Sequence, residues 1–460
     1  MKLKNKKSIV ILLITLIAGS LLLVAVGNMS KDGSNLFDQN GTSKTMVTLF
    51  FSLIISIMVL LVALLLVLMF VKNKKTTTVI GNIENLTDIP AKTDSSEEEE
   101  IGERFCMLSE IERKKNSYGK IGYDKNVTLE RFCNDFRNYA ASRLKLYYDI
   151  SDIRRFIAGM AVSHIIILQG MSGTGKTSLA HAFGSFVDNS STIIPVQPMW
   201  KERTDLVGYY NEFTKKFNET LLLEKMYEAN YSSDIYITVL DEMNIARVEY
   251  YFAEFLSLLE LPNPEERYLD VVSDKWENDP AQLKDGRIRL PKNMWFIGTA
   301  NNDDSTFAIS DKVYDRAMIL NLDTKSERYS APKTSHIHIS CEQFVELVKE
   351  ATEEYTLSAR NHKRLEALDK YLIEHFHITF GNRIMKQIMT YVPVYISCGG
   401  DELDALDDIL SKKVIRKLET QNPIYLRNSA EGLVSYLNEL FGTDKMTLCK
   451  EYIHRLERNA

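Results

Sequence analysis

Residues 164–178 read HIIILQGMSGTGKTS and contain the pattern that decides the fold. The run from Ile165 to Leu168 is apolar and rich in β-branched isoleucine, which is typical of a buried strand. It leads directly into G-x-x-x-x-G-K-[ST], and the residues that follow predict a helix. Glycines in such a loop let backbone N–H groups turn toward phosphate oxygens, and the helix presents its positive N-terminal end to them. The sequence therefore predicts a strand, a phosphate-binding loop (P-loop) and a helix, in that order.

Each polar residue of this loop has a predicted role in holding a nucleotide. Lys176 would supply a cation to the β and γ phosphates, and the Thr177 hydroxyl would ligate Mg²⁺. The predicted nucleotide-binding residues are Gly170, Ser172, Gly173, Thr174, Gly175, Lys176, Thr177 and Ser178.

A second apolar run, from Ile235 to Leu240, ends in the acids Asp241 and Glu242. An unbroken apolar run is expected of a parallel strand that helices cover on both faces. Acids at the carboxyl end of such a strand lie where parallel sheets bind ligands. Asp241 would hold Mg²⁺ through water, and Glu242 would orient and deprotonate the attacking water.

A third apolar run, from Met294 to Ala300, ends at Asn301, whose amide can hydrogen-bond the attacking water or the γ-phosphate. Arg316 lies just before a fourth apolar segment. An arginine placed to reach a neighbour's γ-phosphate would stabilise charge in the transition state. A surface salt bridge is the alternative for Arg316, and Arg247 competes with it for the same catalytic role.

Two uncharged apolar stretches, residues 9–27 and 46–71, lie near the N-terminus. About 20 apolar residues suffice for a helix to cross a hydrocarbon core of roughly 30 Å. Lysines precede the first stretch and follow the second, so the positive-inside bias predicts cytoplasmic chain ends and an external loop at 28–45. A cleaved signal peptide over the first stretch, or burial of both stretches in a core, are the alternatives.

Charge is unevenly distributed along the chain. The first 75 residues carry nine lysines and two acids, about +7, so the formal total of −6 leaves about −13 for the rest. Residues 76–102 are polar and acidic, which predicts a flexible linker. A soluble part this acidic is unsuited to nucleic acid, because binding relies on clustered Lys and Arg.

Cysteine and histidine spacing predicts no metal centre. The five cysteines are widely spaced without a C-x-x-C pair, which is consistent with reduced thiols in the cytosol. His336-x-His338 and His375-x-His377 have no cysteine or third histidine nearby at metal spacing. We interpret these histidines as structural or surface residues.

Residues from about 150 to 460 resemble the AAA+ clade that includes MoxR, the dynein-related ATPases and the restriction motor McrB. The segment 200–210 and the residues from Phe213 to Ala229 resemble its inserted hairpin and helix. Asp241-Glu242-Met243-Asn244 is similar to the clade's D-E-[IM]-N motif. Further similarity lies in the turn before Asn301 and in the lid, at Arg289-Leu290-Pro291, Tyr391, Ala405 to Asp407 and Lys412 to Leu418.

The resemblance implies a P-loop NTPase fold, with a doubly wound parallel α/β sheet and an all-helical C-terminal lid. The expected parts are a transmembrane helical hairpin at 1–75, the linker at 76–102, N-terminal helices at 103–148, the AAA+ domain at 149–325 and the lid at 340–460. It also implies sensor 1 at Asn301, a trans-acting finger at Arg316 and a lid sensor 2 at Arg383, which would bind the chain's own nucleotide. Two departures from the clade are Ile245, where an arginine is common, and Asp315, where the first of two arginines is common.

The expected activity is Mg²⁺-dependent ATP hydrolysis by a homo-oligomeric ring, with a hexamer as the expected size. GTP is not excluded, because McrB uses it. The leading hypothesis is remodelling or gating of an unknown protein client at the cytosolic membrane face. The alternatives are a nucleic-acid-directed motor subunit of a defence system and a nucleotide-gated scaffold with little turnover.

Overall fold

A five-stranded parallel sheet forms the centre of the computed structural model, which describes residues 103–118, 122–301, 306–323 and 326–459. The predicted anchor and linker, residues 1–102, lie outside the described residues. Among the described helices, none is both long and apolar enough to cross a membrane.

The strands of the central sheet lie in the order β10-β1-β9-β5-β2, and every pairing between neighbours is parallel. They are β1 (Ile165–Gln169), β2 (Thr192–Pro195), β5 (Tyr236–Asp241), β9 (Met294–Ala300) and β10 (Met318–Asn321). Four of them coincide with the apolar runs in the sequence. The predicted α/β P-loop core with a parallel sheet is thus confirmed. Only β2 has no strong sequence signal, because it is an edge strand of four residues with exposed positions.

Both faces of the sheet are buried, which explains why its strands are apolar without interruption. In β1, Ile166 and Leu168 belong to the hydrophobic core on one face, whereas Ile165 and Ile167 belong to the core on the other face. The period of two residues per strand turns neighbouring side chains to opposite faces. Each strand therefore needs apolar residues at every position.

Helices account for most of the remaining described residues. Those before and within the core are α1 (Met107–Arg113), α2 (Leu129–Tyr139), α3 (Ile150–Val162), α4 (Lys176–Phe186), α5 (Arg203–Val207), α6 (Leu221–Ala229), α7 (Val248–Tyr251), α8 (Ala253–Leu258) and α9 (Asp311–Tyr314). Those that follow are α10 (Cys341–Glu354), α11 (Ala359–Phe376), α12 (Gly381–Ser397), α13 (Glu402–Lys413), α14 (Pro423–Phe441) and α15 (Thr447–Asn459).

Side-chain caps fix where several of these helices begin. Thr128 accepts a hydrogen bond from the Arg131 amide at the start of α2, and Asp149 does the same for the Ser151 amide at the start of α3. Ser340 and Gln343 form a reciprocal capping box at α10. Cys341 is therefore the first residue of the C-terminal helical region, where the sequence places the lid.

A buried carboxylate joins the core to the C-terminal helices. Asp408 in α13 is 1% exposed, and one oxygen lies 3.0 Å from Nε of Arg155 in α3. Its other oxygen accepts a 2.6 Å hydrogen bond from the Tyr391 hydroxyl in α12, and Lys412 completes the cluster. Losing one partner of a buried ion pair costs roughly 3–5 kcal/mol. The cluster therefore strongly disfavours separation of α3 from the helices that cover it.

Two small antiparallel sheets extend the core. The hairpin β3 (Gly208–Asn211) and β4 (Lys216–Glu219) precedes α6, as the resemblance implied. A three-stranded sheet formed by β6 (Tyr268–Asp270), β7 (Leu283–Lys284) and β8 (Arg287–Arg289) was not predicted, because two- and three-residue strands leave no alternating pattern.

Candidate active site

The P-loop connects β1 to α4, and the helix begins at Lys176. Gly170 has φ +144°, and a Cβ at this position would collide with the carbonyl oxygen of Leu322. Only glycine allows the loop to turn this close to the chain that follows β10. Ser172 and Thr174 lie in the loop, and Ser178 lies in the first turn of α4.

Lys176 is buried in this loop. Its Nζ donates hydrogen bonds to the carbonyl oxygens of Gly170, at 2.9 Å, and Met171, at 2.7 Å. The ammonium group is thus held at the centre of the turn, where the motif places a phosphate-binding cation.

A hydroxyl network joins the P-loop to β5 and β9. One oxygen of Asp241 accepts hydrogen bonds from the Thr177 hydroxyl, at 2.7 Å, and from the Thr299 hydroxyl, at 2.8 Å. The Thr299 oxygen in turn accepts the backbone N–H of Glu242 at 2.8 Å. Thr299 therefore fixes both acids at once. Sequence reasoning did not assign it a role, although its place one residue before the end of a strand beside β5 was the available signal.

The residues present fit a Mg²⁺ ion. Mg²⁺ prefers hard oxygen ligands and commonly takes one or two from the protein, together with phosphate and water. The Thr177 hydroxyl and the Asp241 carboxylate provide two such oxygens side by side, next to the loop that would hold the phosphates. Bound there, the ion would neutralise phosphate charge and order the β and γ oxygens.

Glu242 has a left-handed backbone, with φ +53° and ψ +46°. Residues other than glycine rarely adopt this conformation, and such outliers cluster at functional sites. The strained residue follows β5 directly, at the carboxyl edge of the sheet, and its side chain is exposed. This geometry supports the prediction that Glu242 meets the attacking water.

Asn301 follows β9 at the same edge. Its carbonyl oxygen accepts hydrogen bonds from the Asn244 side-chain amide, at 2.9 Å, and from the Thr306 hydroxyl, at 3.0 Å. Asn244 also exchanges bonds with Phe307, so it ties the segment after Glu242 to the segment after Asn301. The P-loop, both acids and Asn301 therefore meet at the carboxyl edge.

A cleft of about 350 Å³ separates this edge from the C-terminal helices. Asn301 and Gln169 line its core side, whereas Arg416, in the turn after α13, and Arg455, in α15, line its other side. Two lid arginines thus line the cleft beside Asn301, and Asp311 holds one of them, with an oxygen 2.7 Å from Nη2 of Arg416. Sequence reasoning assigned a role to neither of them. Arg416 lies within the lid segment Lys412 to Leu418 and Arg455 in no recognised motif, and only the tertiary fold brings them to the cleft.

Arg316 and Arg383 lie together at the amino edge of the sheet, opposite the P-loop. Arg316 precedes β10, at the amino end of the parallel strands, and its carbonyl accepts a 2.9 Å bond from the hydroxyl of Ser163 just before β1. Its Nε lies 2.8 Å from one oxygen of Glu260, and Nη2 of Arg383 lies 2.8 Å from the other. The structure does not bring Arg383 to its own P-loop, because the N-terminus of α12 lies at the opposite edge of the sheet.

Arg247 differs from both. It lies just before α7 and shortly after Glu242 in the chain, and its guanidinium carbon lies 5.0 Å from the ring centroid of Phe307. It belongs to the carboxyl edge of its own chain.

Contacts from the lid fix the segment that carries Arg316. Lys413 donates hydrogen bonds to the carbonyl oxygens of Tyr314, at 2.7 Å, of Asp315, at 3.3 Å, and of Ala317. Burial lowers the pKa of Lys413 to about 7, so the number of its N–H donors changes near neutral pH. The Tyr314 hydroxyl also accepts a hydrogen bond from the side chain of Gln169, the residue before the P-loop.

Comparison with known families agrees with this geometry. Residues 165–317 match the model of the AAA domain, dynein-related subfamily. The matched range contains the P-loop, both acids, Asn301 and Arg316. Residues 165–317 are an AAA domain, and the chain is an ATP-hydrolysing enzyme. Residues 335–460 of the ATPase match a family described as a domain of unknown function, DUF8727.

Two solved structures resemble the ATPase in part. A suspected ATPase from Cytophaga hutchinsonii is 14% identical, with a TM-score of 0.44, over 72% of this chain and 96% of that one. A full-length MCM homologue from Methanopyrus kandleri is 9% identical, with a TM-score of 0.33, over 67% of this chain and 58% of that one. A search of curated proteins found no match.

Glu242→Gln should retain nucleotide binding and lose at least about 100-fold in turnover, because the amide cannot accept a proton from water. Lys176→Ala should lose nucleotide binding itself. Steady-state hydrolysis and equilibrium binding of a fluorescent nucleotide separate the two effects. Glu212→Gln, an exposed carboxylate on the β3–β4 hairpin, is the control. Near-normal turnover of Glu242→Gln would contradict the assignment of the base.

Thr299→Val should lower turnover about 10- to 100-fold, the usual effect of removing a group that orients a ligand of the metal. Nucleotide binding should remain, since the P-loop is intact. Thr238→Val, which removes a buried hydroxyl from β5 away from the acids, should leave turnover unchanged. If both variants behave alike, Thr299 has no special part in fixing Asp241 and Glu242.

Proposed function

We propose that the chain is a membrane-anchored ring ATPase, in which each active site is completed by arginines of the neighbouring subunit, and which remodels or gates a protein partner at the cytosolic membrane face. The observation that carries the ring is the position of Arg316 and Arg383 at the amino edge of the sheet. Strands rise about 3.3 Å per residue, so the four residues of β10 alone span about 13 Å. An arginine side chain is too short to cross that distance to its own P-loop.

Glu260 holds both guanidinium groups in one place. We call Arg316, Glu260 and Arg383 the arginine pair site. The Arg316 and Arg383 side chains are 25% and 52% exposed, so they remain accessible to an anion from outside. A carboxylate that fixes them in advance lowers the entropy cost of presenting them to a phosphate. The site therefore suits contact with a nucleotide bound by another subunit.

Arg383 acts with Arg316 in this proposal, rather than with its own nucleotide. In its place, Arg416 and Arg455 of the lid, which line the cleft opposite Asn301, would contact the phosphates of the chain's own nucleotide. Arg247 is the weaker candidate for a trans-acting finger, because it lies beside Glu242 of the same chain.

The membrane anchor rests on the two apolar stretches and their flanking lysines. The acidic linker that follows would leave the ATPase free to assemble next to the bilayer. The same acidic charge disfavours the nucleic-acid motor, and the strained Glu242 beside the P-loop disfavours a scaffold that hardly hydrolyses ATP. ATP is favoured over GTP by the frequency of ATP use in the clade.

Arg316→Ala and Arg383→Ala should each reduce turnover but leave nucleotide binding intact, since they act on a neighbour. Mixing either with Glu242→Gln should restore activity, because random assembly of equal amounts places the complementary subunits at about a quarter of interfaces. Lys312→Ala, exposed in the same region, is the matched control with normal turnover. Exchange between differently tagged chains is checked first. If exchange occurs without rescue, neither arginine acts in trans.

A cysteine at Ser34 should react with an impermeant thiol reagent on intact cells, because the loop at 28–45 is predicted to lie outside. Cys106 is the exposed thiol among the native cysteines, all of which the structure describes, and it should react only after permeabilisation. Labelling at position 34 is measured in the double variant Ser34→Cys, Cys106→Ser, and labelling of Cys106 is measured in the native chain. Labelling of Cys106 on intact cells would contradict the topology.

A further inference from the structure

Three potential metal ligands meet where the P-loop helix α4 ends. Asp188 lies two residues after this helix, with φ +56°, and His336 and His338 lie on the extended segment that leads to α10. Their ligand atoms all lie within 4.8 Å of one another. We propose that Asp188, His336 and His338 bind a divalent transition-metal ion of the zinc class.

The backbone holds these side chains in place from both sides. Ile337 donates its amide to the carbonyl of Phe186, the last residue of α4, at 2.7 Å. The His338 carbonyl oxygen accepts a hydrogen bond from the Asp124 amide at 2.7 Å, and the His338 amide donates one to the Asp124 carboxylate at 2.8 Å. Ile337 and Ile339 are buried, and since an extended chain alternates its side chains, both histidines point away from the core. These hydrogen bonds hold the histidine segment against the end of α4, next to Asp188.

The donor set selects the kind of ion. Two imidazole nitrogens and one carboxylate oxygen are typical of zinc bound by three protein ligands with water in the fourth position. Mg²⁺ and Ca²⁺ prefer oxygen ligands, so they suit this set poorly. Zinc ligands lie about 2.0–2.2 Å from the metal, so the three ligand atoms, which lie within 4.8 Å of one another, would move closer around a bound ion. His336 and Asp188 are exposed, which leaves a path for the ion and a place for water.

Metal at this site would join two segments that are far apart in sequence. Asp188 follows the helix that starts at the P-loop, and the two histidines precede the first helix of the lid region. The competing interpretation is an ordinary ion pair between His338 and Asp188, which contact each other directly. An ion pair does not need His336. The contribution of His336 therefore distinguishes the two interpretations.

Zn²⁺ and Co²⁺ are titrated into the detergent-purified full chain, without a polyhistidine tag and without nucleotide, after EDTA treatment. Calorimetry should give one Zn²⁺ per chain, and Co²⁺ should show the visible absorption of a low-coordinate site. His336→Ala and Asp188→Asn should each weaken binding at least tenfold. Their unfolding midpoints in EDTA should match that of the native chain, which shows that they fold.

His362→Ala, Cys106→Ser and Asp241→Asn are the controls. His362 is an exposed histidine near Glu366, Cys106 is the exposed thiol, and Asp241 belongs to the predicted Mg²⁺ site. All three should bind Zn²⁺ as the native chain does. The proposal is overturned if the native chain binds no Zn²⁺, if His336→Ala binds it as tightly as the native chain, or if only a control variant loses binding.

Discussion

The Asp241 carboxylate is the interaction on which the active site depends. Its one oxygen accepts two hydroxyl groups, from Thr177 after the P-loop and from Thr299 in β9. Because Thr299 also binds the amide of Glu242, three elements of the sheet edge are fixed relative to one another. The parallel register of β1, β9 and β5 makes this possible, since it brings all three carboxyl ends to the same edge.

The sequence predicted those parts of the fold that depend on a distinct pattern among residues close together in the chain. The P-loop and the four apolar strands follow from patterns among neighbouring residues, as in the run from Ile165 to Gly170. It could not predict β6, β7 and β8, whose pairing depends on contacts between distant short segments. Nor did spacing alone reveal Thr299, because its role depends on the residue beside it in the next strand.

Arg383 shows most clearly that a motif does not predict where a residue lies in the fold. A resemblance assigns a residue to a role by its order in the chain, whereas the role depends on which edge of the sheet the residue reaches. Packing of α12 against α3 and the buried Asp408 cluster set that edge. The same packing brings Arg416 and Arg455 to the cleft beside Asn301, although the sequence assigned a role to neither.

The hydrogen bond between Gln169 and Tyr314 has a consequence for how the subunits of a ring would hydrolyse nucleotide. Gln169, the residue before the P-loop, donates a hydrogen bond to the Tyr314 hydroxyl. Lys413 of the lid donates hydrogen bonds to backbone carbonyl oxygens on either side of Arg316. A subunit that changes its nucleotide would thereby alter the arginine it offers next door. If the arginines act in trans, each nucleotide site of such a ring would be coupled through this contact to the site that its subunit completes next door.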